Sequence, residues 1–415
     1  MIDSLPYATP DFPGVGGVLR EHLEDFFVQE IPLYEPSGDG EHIFFEAQKV
    51  DLTTREAVRR VAESLGINSR DVGYAGLKDR KAVTQQIFTV PATDGVDEER
   101  VMRLEIEGFA PRWAARHGNK LRVGHLAGNR FAIRIRGVNA TDVVKLRPVL
   151  DQLCERGLPN YYGEQRFGRD AERPNDELGL KLLAGDFAGF LQLYLGGNDN
   201  REDVAAARKL FDDGNLAAAN DAWPRNIQPE GRVLDRLVKS ADPAAAVKKI
   251  DGKLRRLYEN AAQSAVFNSV VAGRVDDGLL STLVHGDVAQ KHTDDLRLGG
   301  LFTVEDAAVE QLRADAWQIS PTGPMPGGKM RPRPHSAAAE REAAVLREMD
   351  LTNDAFAKMP GTRRPLRVRP IDTRLSGGVD EKGQSITVAF TLPAGSFATT
   401  LLRELMKSGP KVPDA

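Results

Sequence analysis

The hexapeptide AGLKDR, Ala75 to Arg80, places a glycine able to make a tight turn beside three charged side chains, Lys78, Asp79 and Arg80. Helix-like sequence precedes it and strand-like sequence follows, so it reads as a loop, and loops on a rigid scaffold are where reactive groups usually sit. A carboxylate flanked by two cations is held ionised. In that state it can act as a nucleophile toward an anomeric carbon. Such tripeptides are common, however, and taken alone this one reads as a solvated charged turn.

The elements that would position the loop are legible on both sides. HIFFEAQKV (His42 to Val50) reads as a strand, and TTREAVRRVAESLGI as a helix. Thr53 and Glu56 have capping-box spacing, Ala57, Val58, Val61, Ala62 and Leu65 form an apolar stripe, and Gly66 stands where a C-cap belongs. VTQQIFTV follows the loop as another strand. In NRFAIRIRGV, Phe131, Ile133 and Ile135 alternate with Ala132, Arg134 and Arg136, the pattern of a half-buried strand with one cationic face. SITVAFTLPAGSFATTLLREL repeats the alternation through Ile386, Val388, Phe390 and Leu392, breaks at Pro393 and Gly395, and then reads as a helix. Both ends of the chain are therefore α+β in character. Between them the sequence turns helical with long loops, as in the Ala-rich stretch Ala241 to Lys249 and in EREAAVLREM. Residues 1–158 with 371–415 are expected to form one discontinuous domain, and 159–370 an inserted, mainly helical one. SPTGPMPGGKMRPRPHS, Ser320 to Ser336, holds five prolines and three glycines and is expected to be a loop. No fixed-period repeat is present.

Composition narrows the function classes. At 415 residues, with 41% hydrophobic and 28% charged, the chain has the balance of a folded multidomain protein. No run of about 20 apolar residues occurs and the N-terminus lacks a signal-peptide pattern, so a cytoplasmic location is expected. Cys154 is the single cysteine, which excludes an internal disulfide and a two-thiolate metal site. His117 and His125 are eight apart and His285 and His292 seven apart, not the four-residue spacing that sets two ligands on one helix face, and no metal is expected. The net charge is −4, yet Arg103 to Arg136 carries eight basic residues against Glu105 and Glu107, a local +6 with Trp113 and Phe131 interleaved. Acid concentrates elsewhere, at Asp276, Asp277, Asp294 and Asp295. The basic stretch reads either as a solvated face or as a surface for an RNA backbone, and Arg363, Arg364, Arg367 and Arg369 as the opposite wall of such a cleft.

Several stretches match one family in wording and order: EDFFVQE with GDGEHIFFEAQK (Glu24 to Lys49), GYAGLKDRKAVTQQ (Gly73 to Gln86), KLRVGHLAGNRFAIRIRGV (Lys120 to Val138), LPNYYGEQRFG (Leu158 to Gly168), NAAQSAVFN (Asn260 to Asn268) and LPAGSFATTLLREL (Leu392 to Leu405). On these the chain resembles the TruD family of tRNA pseudouridine synthases. The resemblance implies a pseudouridine-synthase catalytic fold with a mixed, largely antiparallel sheet, interrupted by the family's insertion domain. It implies isomerisation of a uridine in tRNA, most directly at position 13, with Asp79 as catalytic aspartate and no cofactor. Phe26, Asn129 and Phe397 are implied as contacts of the uridine. The match thins over Asp186 to Arg232, which reads as an enlargement of the insert.

The residue types suit that chemistry. Exchanging an N-glycosidic for a C-glycosidic bond moves no electron or phosphate, so neither nicotinamide nor ATP is required. Asn129 offers donor and acceptor to a pyrimidine edge, and Phe26 and Phe397 offer apolar faces for a flipped base. Each also has a plain structural reading: the two phenylalanines as core, Asn129 as a hairpin residue beside Gly128. Phe131, alternating with Ile133, reads as core. Gln165 and Arg166 are expected to shape the cleft or grip RNA, and Lys78 either supports the site or is surface charge. The rival readings are a catalytically silent RNA-binding protein or RNA chaperone on a synthase fold, and a glycoside hydrolase, which requires a second carboxylate. Oligomeric state is left open.

Overall fold

A computed structural model describes residues 4–168, 170, 172–293 and 296–407. Asp294 and Asp295 of the acidic group noted above lie outside the described residues. The described residues divide into two compact units: those within 6–160, 291–299 and 367–415 form one, and those within 1–5, 161–290 and 300–366 the other.

The first unit is built on a nine-stranded sheet. Its strands run in the order Ile371–Asp380, Gly383–Pro393, Leu126–Arg136, Phe26–Pro32, Val83–Pro91, His42–Val50, Phe109–His117, with Val18–Leu19 and Gly73–Tyr74 as short additions. Phe26–Pro32 and Val83–Pro91 pair in parallel, and the remaining described pairings are antiparallel. The register fixes which side chains share a face. Val28, Phe131 and Phe390 form one row, and Phe26, Ile133 and Val388 the next, all buried in one apolar cluster with the helices Val143–Arg156 and Ala398–Met406. Phe131 is thus core, its ring stacked on Phe390 at 5.1 Å. The helix Thr54–Leu65 forms as its sequence dictates: Thr53 Oγ accepts from the Glu56 N–H, and Gly66 closes it at φ 71° in the left-handed region. Its apolar stripe packs with Ile43, Phe45 and Phe88 into a second cluster.

The other unit contains most of the helices and most of a four-stranded sheet, in the order Leu298–Thr303, Val288–His292, Ile319–Met325, Thr362–Pro365. Its long helix Gly252–Asp276 is buried along much of its length. Helix Asn175–Ala184 approaches it so closely that a Cβ on Gly179 would stand 2.1 Å from the Tyr258 carbonyl oxygen. The Ser320 to Ser336 expectation is corrected here, because Ile319–Met325 is a strand with every residue buried. Proline lacks a donor but keeps its acceptor, and the strand exploits this. The Pro321 carbonyl accepts from the Leu366 N–H at 2.9 Å, and Thr322 Oγ1 donates to the Val288 carbonyl at 2.6 Å.

Candidate active site

The loop carrying Asp79 joins Gly73–Tyr74 to Val83–Pro91 and is held by buried polar groups of the sheet and the first helix. Gln86 Nε2 donates to the Gly76 carbonyl at 2.7 Å, and the Lys78 N–H donates to Thr54 Oγ1 at 2.9 Å. Thr54 Oγ1 in turn donates to Gln86 Oε1 at 3.0 Å. Lys78 turns inward: its Nζ lies 2.6 Å from Glu30 Oε1, with the two side chains 8% and 1% exposed. Glu30 is further satisfied by the Ile87 N–H at 3.0 Å. Lys49 is also buried here, donating to the Leu52 carbonyl at 2.9 Å and toward the Asp79 carbonyl at 3.4 Å. Burial, reinforced by the neighbouring Lys78 charge, brings the Lys49 ammonium down to about 8, against the opposing pull of Glu30 and Asp79.

The cations that flank Asp79 in sequence do not flank it in space. Residues of an extended loop point different ways: Lys78 engages Glu30, and Arg80 Nε pairs with Asp51 at 3.0 Å. The cation at the Asp79 carboxylate is Arg20, at 2.5 Å. Arg20 follows Val18–Leu19, at the left-handed φ of 58°, and its guanidinium lies over the Phe26 ring, 4.0 Å from the centroid. Asp79 remains partly open, its side chain 38% exposed. No sequence pattern singled out Arg20, since its link to the loop spans 59 residues.

Phe26 is buried at the start of its strand, in the apolar cluster and under Arg20. Asn129 lies opposite Glu30 on one side and Leu392 on the other. It therefore shares the face of Val28, Phe131 and Phe390, at the point where the apolar rows give way to polar ones. Its Oδ1 is buried and has no hydrogen-bond partner among the described residues. Phe397 is half-buried at the N-cap of Ala398–Met406, after a turn in which the Ala394 N–H donates to the Ala127 carbonyl. Gln165 and Arg166 belong to the other unit. Gln165 is exposed, while Arg166 Nε donates to Ser264 Oγ at 2.9 Å.

The basic runs are corrected in part, because acids outside those stretches of sequence neutralise them. Arg136 is buried, paired with Asp25 at 2.8 Å and Asp380 at 2.9 Å, and its hydrogen bonds bring the Asp380 carboxyl down to about 2. Arg103 pairs with Glu99 and Arg116 with Glu98, whereas Arg112, Arg122 and Arg130 are exposed. Trp113 is half-buried against Phe44. The four-arginine wall does not form: Arg363 is buried against Glu342 and Thr322, Arg364 lies over Tyr162 at 4.4 Å, and Arg367 is buried with its guanidinium on the Arg156 carbonyl. Arg369 is exposed. Spacing along the chain also missed His285, Glu305 and His335, whose candidate ligand atoms lie within 4.8 Å of one another in the helical unit. Among the described residues no helix is long and apolar enough to cross a membrane.

Comparisons with known proteins agree with this architecture. The family model for tRNA pseudouridine synthase D (TruD) matches residues 2–405. The tRNA pseudouridine synthase D of Geotalea daltonii is 43% identical over 97% of this chain and 100% of its own length. That of Geobacter metallireducens is 40% identical, over 97% and 98%. A crystal structure of the TruD protein from Methanosarcina mazei superposes with a TM-score of 0.85 at 25% identity, covering 98% of this chain and 96% of that one. Matches that run the full length of these relatives mean that the insert is shared with them. From its sheet, its insert and the motif around Asp79 to its full-length relatives, the chain belongs to the TruD family of tRNA pseudouridine synthases.

Proposed function

We propose that the chain isomerises a uridine of tRNA to pseudouridine, position 13 being the target, with Asp79 as nucleophile and without a cofactor. The reaction breaks the bond between ribose C1′ and uracil N1, turns the base, joins C1′ to C5, and transfers the C5 proton away as N1 regains one. Nothing is oxidised or reduced. An ionised carboxylate at the ribose serves this chemistry, whether it adds to C1′ or assists formation of a glycal.

The observation that carries the reading is the setting of Asp79: a partly exposed carboxylate, ion-paired to Arg20, on a loop whose backbone is held by buried Thr54, Gln86 and Lys49. Pre-organisation of this kind keeps the nucleophile where the sugar must arrive. Asn129 adds a second argument. A buried acceptor without a donor costs about 1–3 kcal/mol, and the N3–H of uracil is a donor of the right kind to relieve it. Arg20 places a positive charge against the Asp79 carboxylate.

The test is incubation of the protein with unmodified tRNA, followed by mapping of pseudouridine, for wild type, Asp79→Ala and Asp79→Asn. Wild type forms one modified position; both variants form none, while their tRNA affinity stays within about a few-fold, because phosphate contacts dominate the holding of a polyanion. Turnover retained by Asp79→Ala overturns the assignment. Binding without product by wild type favours a silent RNA-binding protein, and release of free uracil a hydrolase.

A further inference from the structure

Beside the Asp79 loop is a cleft of about 420 Å³, lined by Tyr34, His117, Asn119, Lys120, Arg122 and His125. The segment between the strands Phe109–His117 and Leu126–Arg136 that forms much of it is pinned in place. The Leu121 N–H donates to Thr89 Oγ1 at 3.0 Å, Lys120 Nζ donates to the Arg70 carbonyl, and the Gly124 N–H donates to the Ala75 carbonyl at 2.8 Å. Ala75 precedes Asp79 by four residues, so the cleft wall is tied to a point whose Cα is at most about 14 Å from that of Asp79.

The chemistry of the lining is one-sided. The Ser37 N–H donates to His117 Nδ1 at 3.2 Å, which assigns the proton of a neutral ring to Nε2 as a donor. Burial, with a contribution from His42, pushes His117 below the usual imidazole range against the pull of Asp39, favouring that neutral form. Tyr34 stacks on His117 at 5.1 Å and hydrogen-bonds His125 Nδ1 at 2.8 Å, so the two rings are fixed. Arg122 is exposed, and its guanidinium has no hydrogen bond or ion pair among the described residues. The lining offers guanidinium, ammonium, amide and imidazole donors and no carboxylate. Such a donor-rich concavity suits an anion with several acceptor oxygens.

We propose that this cleft is a second subsite that holds a phosphodiester of the RNA strand flanking the nucleotide presented to Asp79, with Arg122 as its principal contact. This rests on the reading of the chain as an RNA-modifying enzyme. It adds where the strand is gripped, which the family motif around Asp79 does not supply. Tyr34 and His117 form the rigid floor, and Lys120 lends charge from the rim.

The experiment compares wild type, Arg122→Ala and Arg122→Lys, using unmodified tRNA and, separately, inorganic phosphate. Arg122 is exposed, and circular dichroism verifies that both variants are folded. Arg122→Ala is expected to raise the tRNA Kd by roughly 3- to 10-fold, the loss of one charge-assisted contact. The slope of log affinity against log salt should flatten by about 0.7 to 0.9. KM is expected to rise with Kd, and Arg122→Lys to recover most of the salt slope. An unchanged Kd and slope in folded Arg122→Ala overturns the proposal. So does a result in which inorganic phosphate binding depends on Arg122 while tRNA binding does not, since the cleft would then take a free anion. Failure of wild type to form pseudouridine strikes the proposed reaction instead, and the binding comparison still decides the subsite.

Discussion

Replacing Lys78 with methionine separates a brace from a substrate contact. In the folded chain the Lys78 ammonium meets Glu30 at 2.6 Å, both nearly excluded from water, so the variant leaves a buried carboxylate without its ion-pair partner. Breaking a buried pair from one side costs about 3–5 kcal/mol. For a cooperative unit of roughly 200 residues, at about 2–4 °C per kcal/mol, the melting temperature should fall by roughly 6–20 °C. The double variant Glu30→Gln with Lys78→Met removes the stranded charge and should recover at least half of that loss. Differential scanning calorimetry measures both, and pseudouridine mapping reports activity, which should fall with the brace because a displacement of about 1 Å can cost 100-fold. A Lys78→Met protein that melts within about 1 kcal/mol of wild type refutes the argument. Loss of activity in that protein would put the ammonium on the RNA.

Phe397 is half-buried, so Phe397→Ala should cost less than about 2 kcal/mol of stability, below the cost of a fully buried ring, and should act chiefly on KM for tRNA. Urea titration beside steady-state kinetics checks it, and a loss of 4 kcal/mol would mark the ring as core. The Lys49 ammonium, brought down to about 8 in the fold from an ordinary 10.5, is costly while protonated. That cost is present in full below about pH 8 and is relieved as pH rises toward 10.5, where the unfolded chain binds the extra proton. Lys49→Met should therefore flatten the rise in stability from pH 8 to pH 10 relative to wild type, by at most about 3 kcal/mol. Parallel curves for the two proteins would show that Lys49 does not titrate there.

Elements with local signals were legible. Thr53, Glu56 and Gly66 bound the first helix as their spacing required, and the alternation through Phe131, Ile133 and Ile135 marked a core-facing strand. The Asp79 loop was visible by wording, but its environment was not. Arg20, Glu30, Thr54 and Gln86 reach it through tertiary contacts that leave no periodic trace in the chain. Charge counting over a window failed for the same reason: Arg136 finds Asp25 and Asp380, and Arg363 finds Glu342, all outside the windows summed. The strand at Ile319–Met325 escaped notice because its prolines argue against a ladder, and only the arrangement of acceptors shows how one is kept.

One guanidinium, that of Arg20, covers the ring of Phe26 and neutralises the oxygen of Asp79. A base cannot rest on that face of the ring while Arg20 occupies it. On the proposed reaction, a uracil that stacks on this face of Phe26 must displace Arg20, and the same displacement parts the Asp79 carboxylate from its ion pair.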